Sequence, residues 1–188
     1  FGTRFLSDGR PLTVNEEFIR DYPRDVQMIA YGYDPAPEAH WDELLQKGRL
    51  FDRTPVFAGG IWGWTSFCPQ WPYTFDSTIP ALTSCKKNGV KEVFATTWGD
   101  EQTECPVDSL LLGMQLYAEL QYSDTLDREK LAARYRFITG ADYEDTLLLS
   151  ALDAIPGTPP GNPDNFNASK CLLWQDILCG VFDKDLEG

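Results

Sequence analysis

Three stretches of the chain are β-type apolar runs that end in aromatic residues and then turn. They are residues 26–33 (Val-Gln-Met-Ile-Ala-Tyr-Gly-Tyr), 56–64 (Val-Phe-Ala-Gly-Gly-Ile-Trp-Gly-Trp) and 93–100 (Val-Phe-Ala-Thr-Thr-Trp-Gly-Asp). Helical segments separate them, so the strands are expected to be parallel, with their C-terminal ends on one side. In sheets and barrels built from βα units, that side holds the ligand. Tyr31, Tyr33, Trp62, Trp64 and Trp98 then crowd one mouth, with Asp34, Asp100 and Glu101 among them. Flat apolar faces beside carboxylates suit a sugar, whose ring offers C–H faces for stacking and hydroxyls that need acceptors.

Around these runs the pattern predicts the following elements. The first dozen residues read as loop, and Thr13-x-x-Glu16 is a capping box for a short helix to about Tyr22, ended by Pro23. The first strand runs from Val26 to Tyr31. A helix from about Glu38 to Lys47 is stopped by Gly48, and Pro55 opens the second strand. A long loop from Thr65 to Tyr73 carries Phe67, Pro69, Trp71 and Pro72 on the ligand side. The next helix runs from Phe75 or Ser77 to Lys87 and ends at Asn88-Gly89, ahead of a third strand from Glu92 to Thr97. Three βα repeats are too few to close a barrel by themselves.

After Pro106 the period changes. Leu111, Leu112, Met114, Leu116 and Leu120 recur at mostly helical spacing within Val107–Tyr122. A second helix spans Leu126–Thr139 and ends at Gly140; Asp142 caps a third, through Leu152. A proline-rich loop over 155–163 precedes a last helix from about Asn167 to Cys179. The C-terminal part is therefore all-helical, with a boundary near residue 122. The chain starts at Phe1 and runs quickly into a helix–strand pattern, and so reads as the second part of something longer.

Composition narrows the function classes. At 188 residues, 43% hydrophobic and 24% charged, the chain has the make-up of a globular protein with a real core. Its formal net charge of −13 disfavours nucleic acid and anionic membrane surfaces, which need clustered Lys and Arg. Five cysteines (Cys68, Cys85, Cys105, Cys171 and Cys179) lack CxxC spacing, which argues against a disulfide framework and a zinc ribbon. They are expected to be buried and reduced, in keeping with a cytoplasmic location. Asn167-Ala-Ser169 fits a glycosylation sequon, but short sequons recur by chance and nothing else suggests secretion. No signal peptide or bilayer-spanning run is visible.

Several motifs lead nowhere. His40 is the single histidine, at the start of a helix, and is expected to be an exposed helical residue rather than a catalytic base. Gly59-Gly60-x-x-Gly63 lacks the Lys and the helix N-terminus that bind phosphate, so its glycines are expected to allow close backbone approach. Glu104 and Asp108 read as a solvated acidic loop without calcium-loop spacing. Asp100 differs, because it follows Trp98-Gly99 at a strand end facing the mouth, where a carboxylate can hold sugar hydroxyls. Trp41, Tyr117 and Trp174 lie on helices as core residues.

Three segments together carry a family resemblance: residues 57–65 (Phe-Ala-Gly-Gly-Ile-Trp-Gly-Trp-Thr), residues 81–100 ending in Trp98-Gly99-Asp100, and residues 113–119 (Gly-Met-Gln-Leu-Tyr-Ala-Glu). They resemble the family 20 glycoside hydrolases, the exo-β-N-acetylhexosaminidases, and among these the small bacterial type with a helical C-terminal domain. The resemblance implies an α/β fold in which residues 1–122 are strands six to eight of a (β/α)8 TIM barrel and residues 123–188 are the helical C-terminal domain. It implies a retaining, substrate-assisted reaction. The sugar's own acetamido oxygen attacks the anomeric carbon, while an Asp-Glu pair orients the acetamide and protonates the leaving oxygen.

In the family that pair follows the fourth strand, so none of this chain's residues is expected to be catalytic. Asp42-Glu43 is expected on the helical surface, and Asp100-Glu101 follows the wrong strand. By resemblance Trp98 lines the N-acetyl sugar pocket and Asp100 binds distal hydroxyls. Tyr31 or Tyr33 steadies the acetamido oxygen, and Trp62 or Trp64 forms another wall. One departure stands out: the first strand end in this family usually reads aromatic-Asp-Tyr, whereas here it is Tyr31-Gly32-Tyr33. The expected partners are an N-acetylhexosamine-terminated glycan and the missing barrel portion, or a second copy, with no cofactor and no metal. A non-catalytic carbohydrate-binding or interaction module is the alternative.

Overall fold

The three apolar runs form one parallel sheet, in a computed structural model that describes residues 16–51, 53–99 and 104–153. Helix α1 (Glu16–Asp21) leads into β1 (Ile29–Tyr31), α2 (Glu38–Arg49), β2 (Val56–Gly60), α3 (Trp71–Lys87) and β3 (Val93–Thr96). A 3-10 turn at Val107–Leu110 opens α4 (Leu111–Tyr122), followed by α5 (Arg128–Thr139), α6 (Tyr143–Leu147) and a 3-10 segment at Leu148–Asp153. The strand order is β1-β2-β3, and both pairings are parallel, as the intervening helices require. Thr13, the loop at 155–163, the helix expected from Asn167 to Cys179, Cys171, Cys179 and Trp174 lie outside the described residues. So does the sequon at Asn167.

Strand register sorts side chains into two faces. Ala30, Phe57 and Val93 stand side by side on one face. They join Trp41, Leu45, Phe75, Leu82, Leu112 and Leu116 in the core beneath the helices. Trp41 packs edge-on against Phe57 at 5.8 Å and donates its indole N–H to the Ala36 carbonyl at 3.1 Å. The other face carries the row Tyr31, Ala58 and Phe94, with Ile29 beside it. Among the described residues no helix covers this second face: Ile29, Tyr31 and Phe94 remain 49, 53 and 44% exposed.

The close approach foreseen for the paired glycines of β2 is present. A Cβ on Gly59 would collide with the Tyr117 hydroxyl of α4. Burial holds the Tyr117 phenol up at about 12, with a Thr78 hydrogen bond pulling the other way. Burial likewise pushes the Cys85 thiol up to about 12. Glu119, buried on α4, takes two hydrogen bonds from Arg134 of α5 at 2.6 and 2.8 Å, which ties the helical segments together.

Several expectations need correction. The first strand is three residues long, because Arg24 and Asp25 form a turn and the Gln27 amide bonds the Thr54 carbonyl at 3.1 Å instead of a ladder. Gly48 does not stop α2, which runs on to Arg49; a Cβ at Gly48 would lie 2.8 Å from Pro55 Cγ, so packing explains the glycine. Helix α3 begins at Trp71, earlier than expected, with Pro72 in its first turn, where its missing N–H costs nothing. Trp71 is therefore a buried core residue and not a loop residue. Asp42 is not a free surface carboxylate: it accepts from Ser84 Oγ at 2.6 Å and Asn88 Nδ2 at 2.7 Å, clasping α2 to the end of α3. These hydrogen bonds, the Ser84 one foremost, hold its pKa below the usual carboxylate range. Glu43 pairs with Lys47 at 2.6 Å on the surface, as expected.

The ends expected at Gly89 and Gly140 and the cap at Asp142 hold, whereas the helix expected to continue through Leu152 is α-helical only to Leu147 and then 3-10. Gly89 and Gly140 adopt φ of +67° and +75°, and Asp142 caps α6 through the backbone N–H groups of Glu144 and Asp145. No helix among the described residues is long and apolar enough to cross a membrane. Gly59→Ala tests the packing directly. Overfilling the contact with Tyr117 should cost about 1–3 kcal/mol, read as a lower midpoint in urea unfolding. An unchanged midpoint would mean that α4 does not press on β2 as described.

Candidate functional site

The period-2 rule extends past each strand end and brings the aromatics together. Ile29 and Tyr31 lie in β1 with Tyr33 just beyond it, and Ala58 lies in β2 with Trp62 and Trp64 beyond it. Phe94 and Thr96 lie in β3 with Trp98 beyond it. All nine, with Asp34, line one open cavity of about 620 Å³ on the uncovered face and at the C-terminal mouth of the sheet. Tyr31, Tyr33, Trp62, Trp64 and Trp98 thus meet as the sequence predicts. Asp100 and Glu101 lie outside the described residues.

The aromatics differ in their environments. Trp62 and Trp64 are 5 and 6% exposed and lie against each other, with ring centres 4.5 Å apart and planes at 32°. Tyr33 meets both edge-on, at 6.1 and 5.0 Å, and its carbonyl accepts the Trp62 indole N–H at 2.5 Å. These three rings form a fixed wall. Gly60 lets this wall sit close on the strand: a Cβ there would lie 2.8 Å from Trp64 Cη2 and 2.9 Å from Tyr33 Cβ. Tyr31, 6.4 Å from Tyr33 and 53% exposed, and Trp98, 45% exposed, also line the cavity. An exposed indole on the rim of a dry wall is a stacking surface for a ring with apolar faces.

The departure at Tyr31-Gly32-Tyr33 has a local cause. A Cβ at Gly32 would stand 2.8 Å from Trp41 Cζ3, so the tryptophan of α2 occupies the space of a side chain. His40, next to it, is exposed on α2 and touches the Trp41 ring edge-on at 5.2 Å, away from the cavity lining. Glu104 and Asp108 are exposed. Among the described residues no group of His, Cys, Asp and Glu is placed to hold a metal ion. Cys85 and Cys105 are buried, whereas Cys68 is only half-buried, in the β2–α3 loop. Its thiol is pushed up by burial first and then by the charge of Asp153.

What fixes the loop was not foreseen. Trp62 N–H donates to Thr74 Oγ1 at 3.0 Å, and its carbonyl accepts from Gln70 N–H at 2.8 Å. From the other side, the last described segment clamps the same loop. Ser150 Oγ accepts from Trp71 N–H at 2.8 Å and donates to the Pro69 carbonyl at 2.6 Å. The Thr146 carbonyl accepts the Trp71 indole N–H at 2.8 Å, and Asp153 Oδ2 accepts from Cys68 N–H at 2.9 Å. Thr146, Ser150 and Asp153 are all buried, so these bonds are shielded from water. The sequence carried no local signal for them, because partners 75 to 85 positions apart leave no periodicity. Phe94, Thr96 and Ile29 were also missed as lining residues, although the period-2 spacing from Trp98 and Tyr31 marks them.

Residues 144–188 match the family model described as the Glycoside Hydrolase 20C C-terminal domain. No curated protein matches the chain. The matched segment begins within α6 and includes Thr146, Ser150 and Asp153, the residues that hold the β2–α3 loop. Ser150→Ala should leave the Trp71 N–H and the Pro69 carbonyl buried without partners, at about 1–3 kcal/mol. The check is urea unfolding together with the ellipticity near 230 nm, where the close Trp62–Trp64 pair couples. A variant with full stability and an unchanged band would show that the clamp does not hold the loop.

Proposed function

We propose, for a chain whose C-terminal portion is that of a family 20 glycoside hydrolase, that it supplies the substrate-binding wall of an exo-β-N-acetylhexosaminidase while the catalytic Asp-Glu pair lies in another part of the barrel. In this reading β1, β2 and β3 are strands six to eight of a (β/α)8 barrel, and residues 123–188 form its helical C-terminal domain. The observation that carries the reading is the uncovered sheet face. Parallel sheets are ordinarily buried on both faces. Here helices cover one face, and the other exposes Ile29, Tyr31 and Phe94 beside an aromatic-lined cavity at the strand ends. In a closed barrel that face is the interior, and the cavity becomes one side of the active-site mouth.

Each residue then has a task. Trp98 stacks on the sugar ring, and Trp62, Trp64 and Tyr33 form the rigid wall against which the N-acetyl group sits. Tyr31 or Tyr33 offers its phenol O–H to the acetamido oxygen, which steadies that oxygen for attack on the anomeric carbon. Asp100 accepts hydrogen bonds from the distal hydroxyls. The chain works on terminal β-linked N-acetylglucosamine or N-acetylgalactosamine and needs no cofactor for these roles. Among the described residues β1 and β3 are the edges of the sheet, and in this reading the remaining barrel strands, or a second copy, pair with them.

The test is titration with N-acetylglucosamine, followed by tryptophan fluorescence. Wild-type chain should show saturable quenching, and Trp98→Ala should weaken binding by about tenfold, the scale expected for loss of one stacked aromatic ring. Undiminished affinity in Trp98→Ala would remove that residue from the pocket.

A further inference from the structure

The β2–α3 loop, residues 61–70, is built unlike a surface connection. Loops ordinarily stay at the surface, because a buried one carries backbone groups that water cannot reach. Here Ile61, Trp62, Trp64, Thr65, Ser66 and Gln70 are all buried. Thr65 Oγ1 and Gln70 Nε2 find no hydrogen-bond partner among the described residues. Such atoms make the loop costly to bury, so its remaining polar groups have to be well held. A relay of direct contacts holds them. The Trp62 carbonyl accepts from Gln70 N–H at 2.8 Å. Ser150 grips the residues on either side of Gln70, accepting from Trp71 N–H and donating to the Pro69 carbonyl. Asp153 accepts from Cys68 N–H. Of these residues Trp62 lines the cavity, whereas Gln70, Trp71, Ser150 and Asp153 are not among the lining residues described.

We infer that Ser150 and Asp153 are positioning residues for the cavity: through Gln70 they set Trp62 and its partner Trp64, so that closure of this clamp and occupation of the cavity strengthen each other. The inference rests on the sugar-binding reading above and adds to it control of the site from the helical C-terminal region. A ligand that packs on a wall already fixed loses less freedom than one that must order the wall as it binds. By linkage the effect runs both ways. If the clamp raises the affinity by some factor, the bound ligand tightens the clamp by the same factor. The consequence is readable at Cys68 and Trp71, whose N–H groups are held by the clamp and lie outside the described lining.

The experiment measures amide hydrogen exchange over residues 66–71 of the full chain by mass spectrometry, with and without saturating N-acetylglucosamine, and affinity by tryptophan fluorescence. In wild type the sugar should slow this exchange by at least about threefold. Ser150→Ala and Asp153→Ala should bind about fivefold more weakly and lose the sugar-induced protection. Asp153→Asn keeps an oxygen acceptor for the Cys68 N–H and should stay within about twofold of wild type. Arg134→Ala is the control: it breaks the pair with Glu119, which is no part of the relay, and should lower stability without changing affinity. Wild-type exchange that ignores bound sugar overturns the inference, and so does undiminished affinity in Asp153→Ala. An equal loss of affinity in Arg134→Ala also overturns it, since general destabilisation would then suffice. Should Ser150→Ala fail to fold, the wild-type exchange and the Asp153 pair of variants decide. Failure of wild type to bind the sugar at all would overturn the sugar-binding reading, and this inference with it.

Discussion

The sheet, α4 and the aromatic wall meet at the close approach around Gly59 and Gly60 of β2. These adjacent residues point to opposite faces of the sheet, and neither has room for a side chain. On the helical face, Gly59 admits the Tyr117 hydroxyl, so α4 can press against the middle strand. On the open face, Gly60 admits Trp64 and Tyr33, so the aromatic wall rests directly on the backbone. The same pair thus sets both the depth of the core and the height of the cavity wall. A strand of bulkier residues would push α4 and the tryptophans apart and leave neither face well packed.

The wall is held in place from a distance. Trp62 is fixed by Thr74 and Gln70, and the loop beyond it is gripped by Thr146, Ser150 and Asp153. Part of the helical C-terminal region therefore acts as a brace for the β2–α3 loop. A surface whose rings need not be ordered on binding loses less entropy there, so under the proposed sugar-binding role this brace would link a segment far from the cavity to recognition. Trp98 and Tyr31 line the same cavity but stay about half exposed, outside the enclosed wall.

Much of this was legible from the sequence. Aromatic residues at alternating positions after three apolar runs sufficed to gather Tyr31, Tyr33, Trp62, Trp64 and Trp98, because strand geometry is local. The helix ends at Gly89, Gly140 and Asp142 were legible for the same reason. What escaped was set by contacts between distant segments. Gly48 reads as a helix stop, yet Pro55 makes it a packing residue; Asp42 reads as surface, yet Ser84 and Asn88 make it a clasp. Trp71 reads as loop until Thr146 and Ser150 show it to be an anchor.

The most direct measurement is hydrolysis of an aryl β-N-acetylglucosaminide, first by this chain alone with its purity checked by intact mass. It is then repeated after addition of the N-terminal barrel portion of a family 20 enzyme of the same type. A binding wall without the Asp-Glu pair predicts no turnover by the chain alone and turnover on recombination. Turnover by the pure chain would contradict the account and would place the chemistry on this chain's own carboxylates, with Asp100 and Glu101 the first to examine.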